Sequence, residues 1–137
     1  MMKYFYGVAA LLLVLGCADT EQASQAPLLG TTWNLAELNN EEIQYSGSTV
    51  PHLRFEAERV SGNDGCNNFF GSYTLDGNSL KFGMLGSTRM ACPQLKDFDM
   101  EFNKMISATT RYRITGDKLE LFESDELLAS FLAAEQN

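Results

Sequence analysis

The chain has 137 residues, of which 45% are hydrophobic and 11% aromatic, enough for one small packed domain and against global disorder. Eighteen acidic residues against ten basic ones give a net charge of −8 at pH 7. Such a chain repels nucleic-acid phosphates and anionic lipid headgroups, so we expect no nucleic-acid partner and no membrane attachment through a basic surface.

The N-terminal segment has the pattern of a bacterial lipoprotein signal peptide. Met1-Met2-Lys3 precedes an apolar run over residues 8–15, which is too short to span a bilayer. The run leads into Val14-Leu15-Gly16-Cys17, which resembles a lipobox, where cleavage leaves the cysteine as the first residue. We expect residues 1–16 to be the signal peptide and Cys17 to carry lipid. The alternative is a plain signal peptide with an incidental cysteine.

The residues that follow predict a flexible, lipid-anchored tether over 17–29, before a single folded domain over 30–134. Residues 18–26 are small or polar and lack periodicity. Each buried acyl methylene contributes about 0.8 kcal/mol, so several chains on Cys17 would anchor the protein durably. The residue after the cysteine is Ala18 and not an aspartate, which in many Gram-negative bacteria sorts a lipoprotein to the outer membrane. We therefore expect the periplasmic face of the outer membrane.

Short runs of alternating apolar residues begin at residue 30 and predict half-buried strands. Trp33 and Leu35 share one face of the first run, and Leu53 and Phe55 share one face of a later run. Two turn sequences, Asn63-Asp64-Gly65 and Asp76-Gly77-Asn78, bound the extended stretch over residues 66–75. Strands of this length and spacing are typical of small barrels.

One segment has helical periodicity instead. After Pro93, apolar residues recur at steps of three and four, at Leu95, Phe98, Phe102, Met105 and Ile106. We predict a helix over about 93–108, since proline suits a first helical position and acidic residues suit the early turns. Alternation then resumes over residues 112–132. The fold predicted is mainly β (α+β): a small antiparallel β-barrel-like sheet with one α-helix packed over it.

Cys66 and Cys92 are the two cysteines left once Cys17 is assigned to lipid. An even number in an oxidising compartment predicts a disulfide between them, which for a loop of this length contributes roughly 3 kcal/mol. A catalytic thiol or a metal pair is the alternative. Neither cysteine belongs to a C-x-x-C motif, and the sequence has a single histidine, His52.

Two short segments around these cysteines carry the candidate binding or structural residues. Asn67 and Phe69 lie in Gly65-Cys66-Asn67-Asn68-Phe69-Phe70-Gly71, which is either a binding loop or a corner fixed by the disulfide. Thr88, Arg89 and Met90 lie in the segment before Cys92. Arg89 could bind a carboxylate or phosphate in bidentate fashion, or could donate to backbone carbonyls or a buried acid and so brace the loop.

The remaining polar and aromatic residues favour structure over catalysis. Trp33 is interpreted as core rather than as a carbohydrate platform, and His52 as solvent-facing. Asp97, Asp99 and Glu101 are spaced so that they do not converge on one ion, and we interpret them as a solvated face. The sequence lacks a nucleophile elbow, a phosphate-binding glycine loop and HExxH. We predict no enzyme, no cofactor and no metal; a site made of carboxylates alone is the remaining catalytic alternative.

Taken together, these motifs resemble the META/HslJ-like domain family of small envelope lipoproteins. The markers are Gly30, Trp33, Leu35, Gly65-Cys66-Asn67, Phe69, Gly71, Tyr73, Leu80, Phe82, Thr88-Arg89-Met90-Ala91-Cys92, Tyr112, Leu119 and Leu121. The resemblance implies a β-barrel-like fold with a helix, in proteins associated with heat or antibiotic tolerance. It implies no catalytic residues.

Two functional hypotheses follow. The first is a non-enzymatic, lipid-anchored envelope protein that binds another envelope protein or a small apolar ligand and supports stress tolerance. The second is an inhibitor of an envelope-attacking hydrolase such as lysozyme, with an exposed loop near residues 83–89 entering the active site and the acidic surface favouring a basic target. A deep apolar cavity would favour ligand binding, and a filled barrel with a protruding rigid loop would favour inhibition.

Overall fold

The computed structural model describes residues 24–45 and 49–135. They form a mainly antiparallel β structure with one α-helix, as the sequence predicted. The strands are β1 Thr32–Leu38, β2 Glu41–Glu42, β3 His52–Glu56, β4 Arg59–Asn63, β5 Asn68–Asp76, β6 Ser79–Ser87, β7 Arg111–Thr115, β8 Lys118–Glu123 and β9 Glu126–Ala133. The helix α1 spans Phe98–Ala108, after a 3-10 turn at Pro93–Leu95.

Eight of these strands close into a barrel in chain order. Each strand from β3 to β9 pairs with its neighbours, and β1 completes the ring by pairing with β3 on one side and β9 on the other. The short strand β2 forms a hairpin with the end of β1, where Leu38 lies opposite Glu41. Closure leaves few exposed sheet edges, which is how small β domains avoid edge-to-edge association.

The seam between β6 and β7 is the exception. Ser79 opposite Arg111 is the only register pair between these strands, supported by hydrogen bonds from Leu80 N to Thr110 O and from Tyr112 N to Asn78 O. Beyond it the two strands diverge, because the chain from 88 to 110 is inserted between them. Helix α1 occupies this opening and buries Phe102 in the barrel, together with Met105 and Ile106.

The interior is filled by alternating side chains from every barrel strand and from the helix. The largest fully buried residues are Trp33, Phe55, Phe102, Phe131, Leu53, Leu80, Leu119 and Leu121. Aromatic rings contact one another across the core; the ring of Phe102 lies 5.9 Å from that of Phe69 and 6.4 Å from that of Phe131. The predicted core position of Trp33 is confirmed by its complete burial.

The two ends of the barrel differ. We call one the helix end, because α1 lies there with the turn at 39–40, the segments 64–67 and 88–92, and the turn at 124–125. The opposite end carries the hairpin turns at 57–58, 77–78 and 116–117. The strand register fixes this division, since antiparallel neighbours alternate in direction around the ring.

The chain enters the fold at the opposite end. Ala26 N donates to Gly116 O, Leu29 bridges to Phe55, and the Trp33 indole donates to Leu28 O at 3.2 Å. Residues 26–29, which the sequence assigned to the tether, therefore contact the barrel. The predicted signal peptide and Cys17 lie outside the described residues. Within the described part of the chain, α1 is the one α-helix, and its length and apolar content fall below what a bilayer crossing needs.

The predicted helix is confirmed over 98–108, but its first five residues have another conformation. Residues 93–95 form the 3-10 turn, and Lys96 and Asp97 then adopt left-handed backbone angles, with φ of 47° and 67°. Cys92 is fixed by a disulfide, whereas α1 must point Phe102 into the barrel. The change of direction between these two constraints falls on Lys96 and Asp97, which ends the first turn before α1 begins.

Candidate functional site

The predicted disulfide between Cys66 and Cys92 is present at the helix end, with the two Cα atoms 5.9 Å apart. It joins the segment after β4 to the segment after β6. We call residues 63–68 and 87–92 the disulfide corner. All five candidate binding or structural residues of the sequence analysis belong to this corner or to the strand that leaves it.

The side-chain amide of Asn67 bonds the backbone of Met90 as the backbone of a neighbouring strand would. Its Oδ1 accepts hydrogen bonds from Met90 N at 2.7 Å and from the Thr88 hydroxyl at 3.0 Å, and its Nδ2 donates to Met90 O at 3.3 Å. Thr88 continues the pairing, because its Oγ1 accepts from Asn68 N and its own N donates to Asn68 O. The amide of Asn67 is buried, so these bonds fix the path of residues 88–90.

Asp64 organises the other half of the corner, and sequence reasoning did not single it out. Its Oδ1 accepts from Cys66 N at 2.9 Å and from Asn67 N at 2.6 Å, and its Oδ2 accepts from Asn103 Nδ2 on α1 at 2.9 Å. The carboxylate is 2% exposed. Its position in the turn sequence Asn63-Asp64-Gly65 was the available signal, since such residues cap their own backbone. Asp64 thus links the corner to the helix.

Gly65 and Phe69 serve the fold at this corner. Gly65 has φ of +95°, a backbone angle that strains other residues, and a Cβ there would lie 3.1 Å from the ring of Phe98, so that ring would have to shift to admit a side chain. Phe69 is buried against Phe102.

The pKa of the nearby Tyr45 phenol is raised. Burial is the larger cause, and the negative charge of Asp64 is the smaller one.

Arg89 and Met90 are the members of the motif that face solvent. Met90 is 60% exposed although its backbone is bonded on both sides to Asn67. Arg89 is exposed, and none of the hydrogen bonds or ion pairs found between described residues involves its guanidinium. The structure therefore does not bring Arg89 to a buried acid or to a backbone carbonyl, which leaves its donors available to a partner.

The other polar residues considered from the sequence are dispersed. His52 is half-buried on β3, with Nδ1 2.8 Å from Val50 O. Glu101 lies on α1 and accepts from Asn39 Nδ2 at 3.2 Å, while Asp97 precedes the helix. Among residues 24–45 and 49–135, no three His, Cys, Asp or Glu side chains converge as metal ligands would.

The concave features found on the described surface are open grooves rather than internal cavities. Two of the largest flank α1: one of about 390 Å³ between the helix and the β8–β9 hairpin, and one of about 400 Å³ between the helix and β6. The barrel interior is occupied by the aromatic core, so any ligand binding at these places would lie on the outside of the barrel.

Comparisons with known proteins agree with this architecture. The META domain model matches residues 26–136. Among solved structures, an NMR structure of a protein is 26% identical, covers 74% of this chain and 88% of its own, and has a TM-score of 0.59. An NMR structure of a protein from Burkholderia xenovorans is 21% identical, covers 88% and 99%, and has a TM-score of 0.62.

A third solved structure, the crystal structure of a DUF4847 family protein from Bacteroides vulgatus, is 15% identical, covers 80% and 96%, and has a TM-score of 0.59. At the identities of the last two, the likeness concerns the fold alone. No functionally curated protein matches the chain. Because the family model spans nearly the whole described structure, including the disulfide corner, the chain belongs to the META domain family.

Proposed function

We propose that this protein is a non-enzymatic, lipid-anchored envelope protein that binds another protein through its helix end and supports tolerance to heat or antibiotic stress. The observation that carries the proposal is the filled interior. Trp33, Phe55, Phe102 and Phe131 are fully buried and leave the barrel without a deep apolar chamber. A small apolar ligand would need such a chamber, so recognition on the outer surface is favoured.

The disulfide corner supplies a surface suited to a protein partner. Arg89 and Met90 are exposed on a segment that Cys92 and Asn67 hold in place. A rigid segment loses little conformational entropy on binding, and arginine and methionine are enriched at protein interfaces. The motif is thus a structural corner and, in our proposal, the support of a contact surface.

The position of the chain entry supports the lipid-anchored part of the proposal. Residues 26–29 contact the opposite end of the barrel, far from Arg89. A lipid on Cys17 would therefore leave the helix end facing away from the bilayer and accessible to proteins of the envelope. The sequence following Cys17 favours the outer membrane as its location.

Partner capture tests the contact surface. Envelope proteins crosslinked to wild-type protein in cells are compared with those crosslinked to Arg89→Ala/Met90→Ala. The matched control is Arg59→Ala/Leu75→Ala, which removes one positive charge and one exposed apolar side chain at the opposite end. We expect the motif variant to lose its specific partner and the control to keep it. Equal capture by both variants would contradict the proposal.

The lipid anchor has its own test. Labelled fatty acid should be incorporated into wild-type protein, and Cys17→Ser should prevent incorporation and release the protein from the membrane fraction. A Cys17→Ser protein that stays membrane-bound would refute the anchor, whatever the outcome of partner capture. Survival of a deletion strain after heat or antibiotic exposure, with and without each variant restored, then tests the role in tolerance.

A second candidate function is inhibition of an envelope-attacking hydrolase. Of the loop predicted near residues 83–89, residues 83–87 belong to β6, and the exposed segment next to the disulfide is 86–91. The protein is acidic, as a ligand for basic lysozymes would be. Purified protein should then slow lysozyme on cell walls, and Arg89→Ala/Met90→Ala should restore the rate. Unchanged hydrolysis at excess protein would exclude lysozyme as the target.

A further inference from the structure

The groove between α1 and the β8–β9 hairpin adjoins a second groove between α1 and the β1–β2 hairpin, and the hydrogen bond from Asn39 to Glu101 lies where the two meet. The two have volumes of about 390 and 370 Å³ and share the lining residues Asn39 and Glu101. We call them together the α1 groove. It follows one side of the helix from Phe98 to Ala108, which at 1.5 Å per residue is about 15 Å.

The floor of the α1 groove is apolar. Ile43, Leu95, Phe98 and Leu128 are half-buried along it, so each presents part of an apolar side chain to solvent. Met105 lines it more deeply, with its side chain in the core. A floor of this kind gives an occupant apolar area to bury, at roughly 25 cal/mol for each Å² removed from water.

The rim of the α1 groove is acidic. Four exposed glutamates line it, against two exposed lysines, which leaves an excess of two negative charges: Glu41, Glu101, Glu123 and Glu126 against Lys96 and Lys104. None of the ion pairs between described residues involves these glutamates. Within the described structure their carboxylates accept one side-chain hydrogen bond, which Asn39 donates to Glu101. The rim charge is therefore open to compensation by an occupant.

From this geometry we propose that the α1 groove binds a short cationic, amphipathic segment of a protein partner, with apolar side chains on the floor and Lys or Arg side chains between the rim glutamates. A length of about 15 Å accommodates four or five residues of extended chain. The inference rests on the proposed function, since it gives the chemistry of the partner that binds the helix end. Gln94 and Leu95 connect the groove to the disulfide corner along the chain.

The groove between α1 and β6 differs in charge. Its lining, which includes Phe82, Leu85, Asn103 and Ser107, carries no charged side chain, so it offers no charge complementarity to an occupant. The uncompensated rim charge is what distinguishes the α1 groove and commits it to a cationic segment.

The probe is a synthetic peptide of about eight residues that alternates lysine and leucine, a length that exceeds the groove at about 3.3 Å per residue. Binding to the folded domain is measured by calorimetry and by NMR shifts. We expect binding at low salt that weakens at physiological ionic strength, with the largest shifts at Ile43, Phe98 and Leu128. A glutamate–leucine peptide and a lysine–serine peptide should bind markedly less, since each lacks one half of the recognition.

The variant is Glu123→Gln/Glu126→Gln, which keeps side-chain shape at two exposed hairpin positions and removes two rim charges. We expect about tenfold weaker peptide binding, a loss of about 1.4 kcal/mol shared between two exposed charge contacts. The control is Glu58→Gln/Glu135→Gln, the same charge change at the opposite end, which should bind as the wild type does. Circular dichroism verifies the fold of both.

Three results would overturn the inference: no binding of the lysine–leucine peptide, equal weakening in variant and control, or shifts located away from the α1 groove. The Arg89→Ala/Met90→Ala variant separates this inference from the proposed function. If that variant loses its cellular partner while no protein binds the peptide, the groove inference fails and the proposed function stands. If the peptide binds the groove but no cellular partner is captured, the groove is supported and the proposed function fails.

Discussion

At the scale of single residues, the side chain of Asn67 fixes the disulfide corner in addition to the disulfide itself. Its side chain bonds both the N–H and the C=O of Met90, and also the hydroxyl of Thr88. The result is a backbone-like pairing made by one amide group. The segment over residues 88–92, which the disulfide and the Thr88–Asn68 hydrogen bonds also hold, is thereby fixed at a further point.

Asn67→Ala should therefore be costly. The substitution removes the three hydrogen bonds that the Asn67 side chain makes to Met90 and Thr88, and at about 1 kcal/mol each we expect a loss of about 2–3 kcal/mol in the free energy of unfolding. The neighbour Asn68 is exposed and its side chain makes one hydrogen bond, to Asn63, so Asn68→Ala should cost less than about 1 kcal/mol. Urea unfolding measures both. Similar losses in the two variants would refute the special role of Asn67.

Tyr73 predicts a decline of stability at alkaline pH. Burial raises the pKa of its phenol above the ordinary 10.0, and the hydroxyl donates to Glu56 O at 2.6 Å. The unfolded chain then loses this proton at lower pH than the folded protein does. The folded state binds more protons, so stability present below pH 10.0 falls as the pH rises beyond it.

Urea unfolding across about pH 9 to 11 checks this dependence. Tyr73→Phe removes the titrating group, so the variant should lose less free energy of unfolding over that interval than the wild type loses. Because the variant also lacks the bond to Glu56, its stability at neutral pH serves as the reference for each curve. Parallel declines would show that Tyr73 is not responsible.

The sequence allowed some of these residue roles to be predicted and concealed others. Trp33 and the disulfide of Cys66 and Cys92 follow from local pattern and cysteine number, and both are confirmed. The role of Asp64 depends on Asn103, which is distant in sequence. A carboxylate that receives bonds from a remote helix leaves no local signal, so only the turn preference of Asp64 was visible.

At the scale of elements, α1 functions as part of the barrel core. Three of its residues are buried, and Phe102 contacts rings from β5 and β9. The helix could be predicted from its periodicity, because its apolar residues all face the barrel interior. The residue at which α1 starts could not be predicted. It depends on the left-handed pair Lys96 and Asp97, which is imposed by the position of Cys92 and by the direction of the helix.

Phe102→Ala should destabilise the protein by about 3–5 kcal/mol, because the removed ring leaves a cavity among aromatic neighbours that cannot readily close. Met100→Ala provides the control on the same helix, since Met100 is 63% exposed and its truncation should change stability by less than about 0.5 kcal/mol. Thermal unfolding of the two variants measures the difference. A small effect of Phe102→Ala would mean that α1 is not integral to the core.

At the scale of the whole molecule, the alternating pattern was sufficient to predict a small barrel, but not how it closes. The pairing of β1 with β9 joins Trp33 to Ala133, and such long-range partners leave no mark in a local pattern. The same limit applies to which features lie at which end of the barrel. That the chain enters at one end while the disulfide corner and α1 groove lie at the other follows from register around the complete ring.

If Cys17 carries lipid, as we propose, the arrangement of the two barrel ends predicts how the anchored protein is oriented. Asp117 and Asp125 flank β8 and mark the opposite end and the helix end, roughly 25 Å apart for a strand of this length. With Cys17 lipidated and the other cysteines in the disulfide, a cysteine introduced at either position is a unique labelling site. On vesicles that contain a bilayer-resident quencher, a fluorophore on Asp117→Cys should be quenched more than one on Asp125→Cys. Reversed or equal quenching would contradict the orientation.

The single register pair between β6 and β7 has a consequence for how the ring comes apart. A closed sheet opens first where its strand pairing is shortest. Amide protons of residues 79–80 and 110–112 should therefore exchange with solvent faster than those of β8 and β9. We expect the burial of Phe102, Met105 and Ile106 in the barrel to hold these two strands together more than their own pairing does. We therefore expect the packing of α1 over this seam to determine the temperature at which the domain unfolds. Substitutions that improve this packing should raise that temperature.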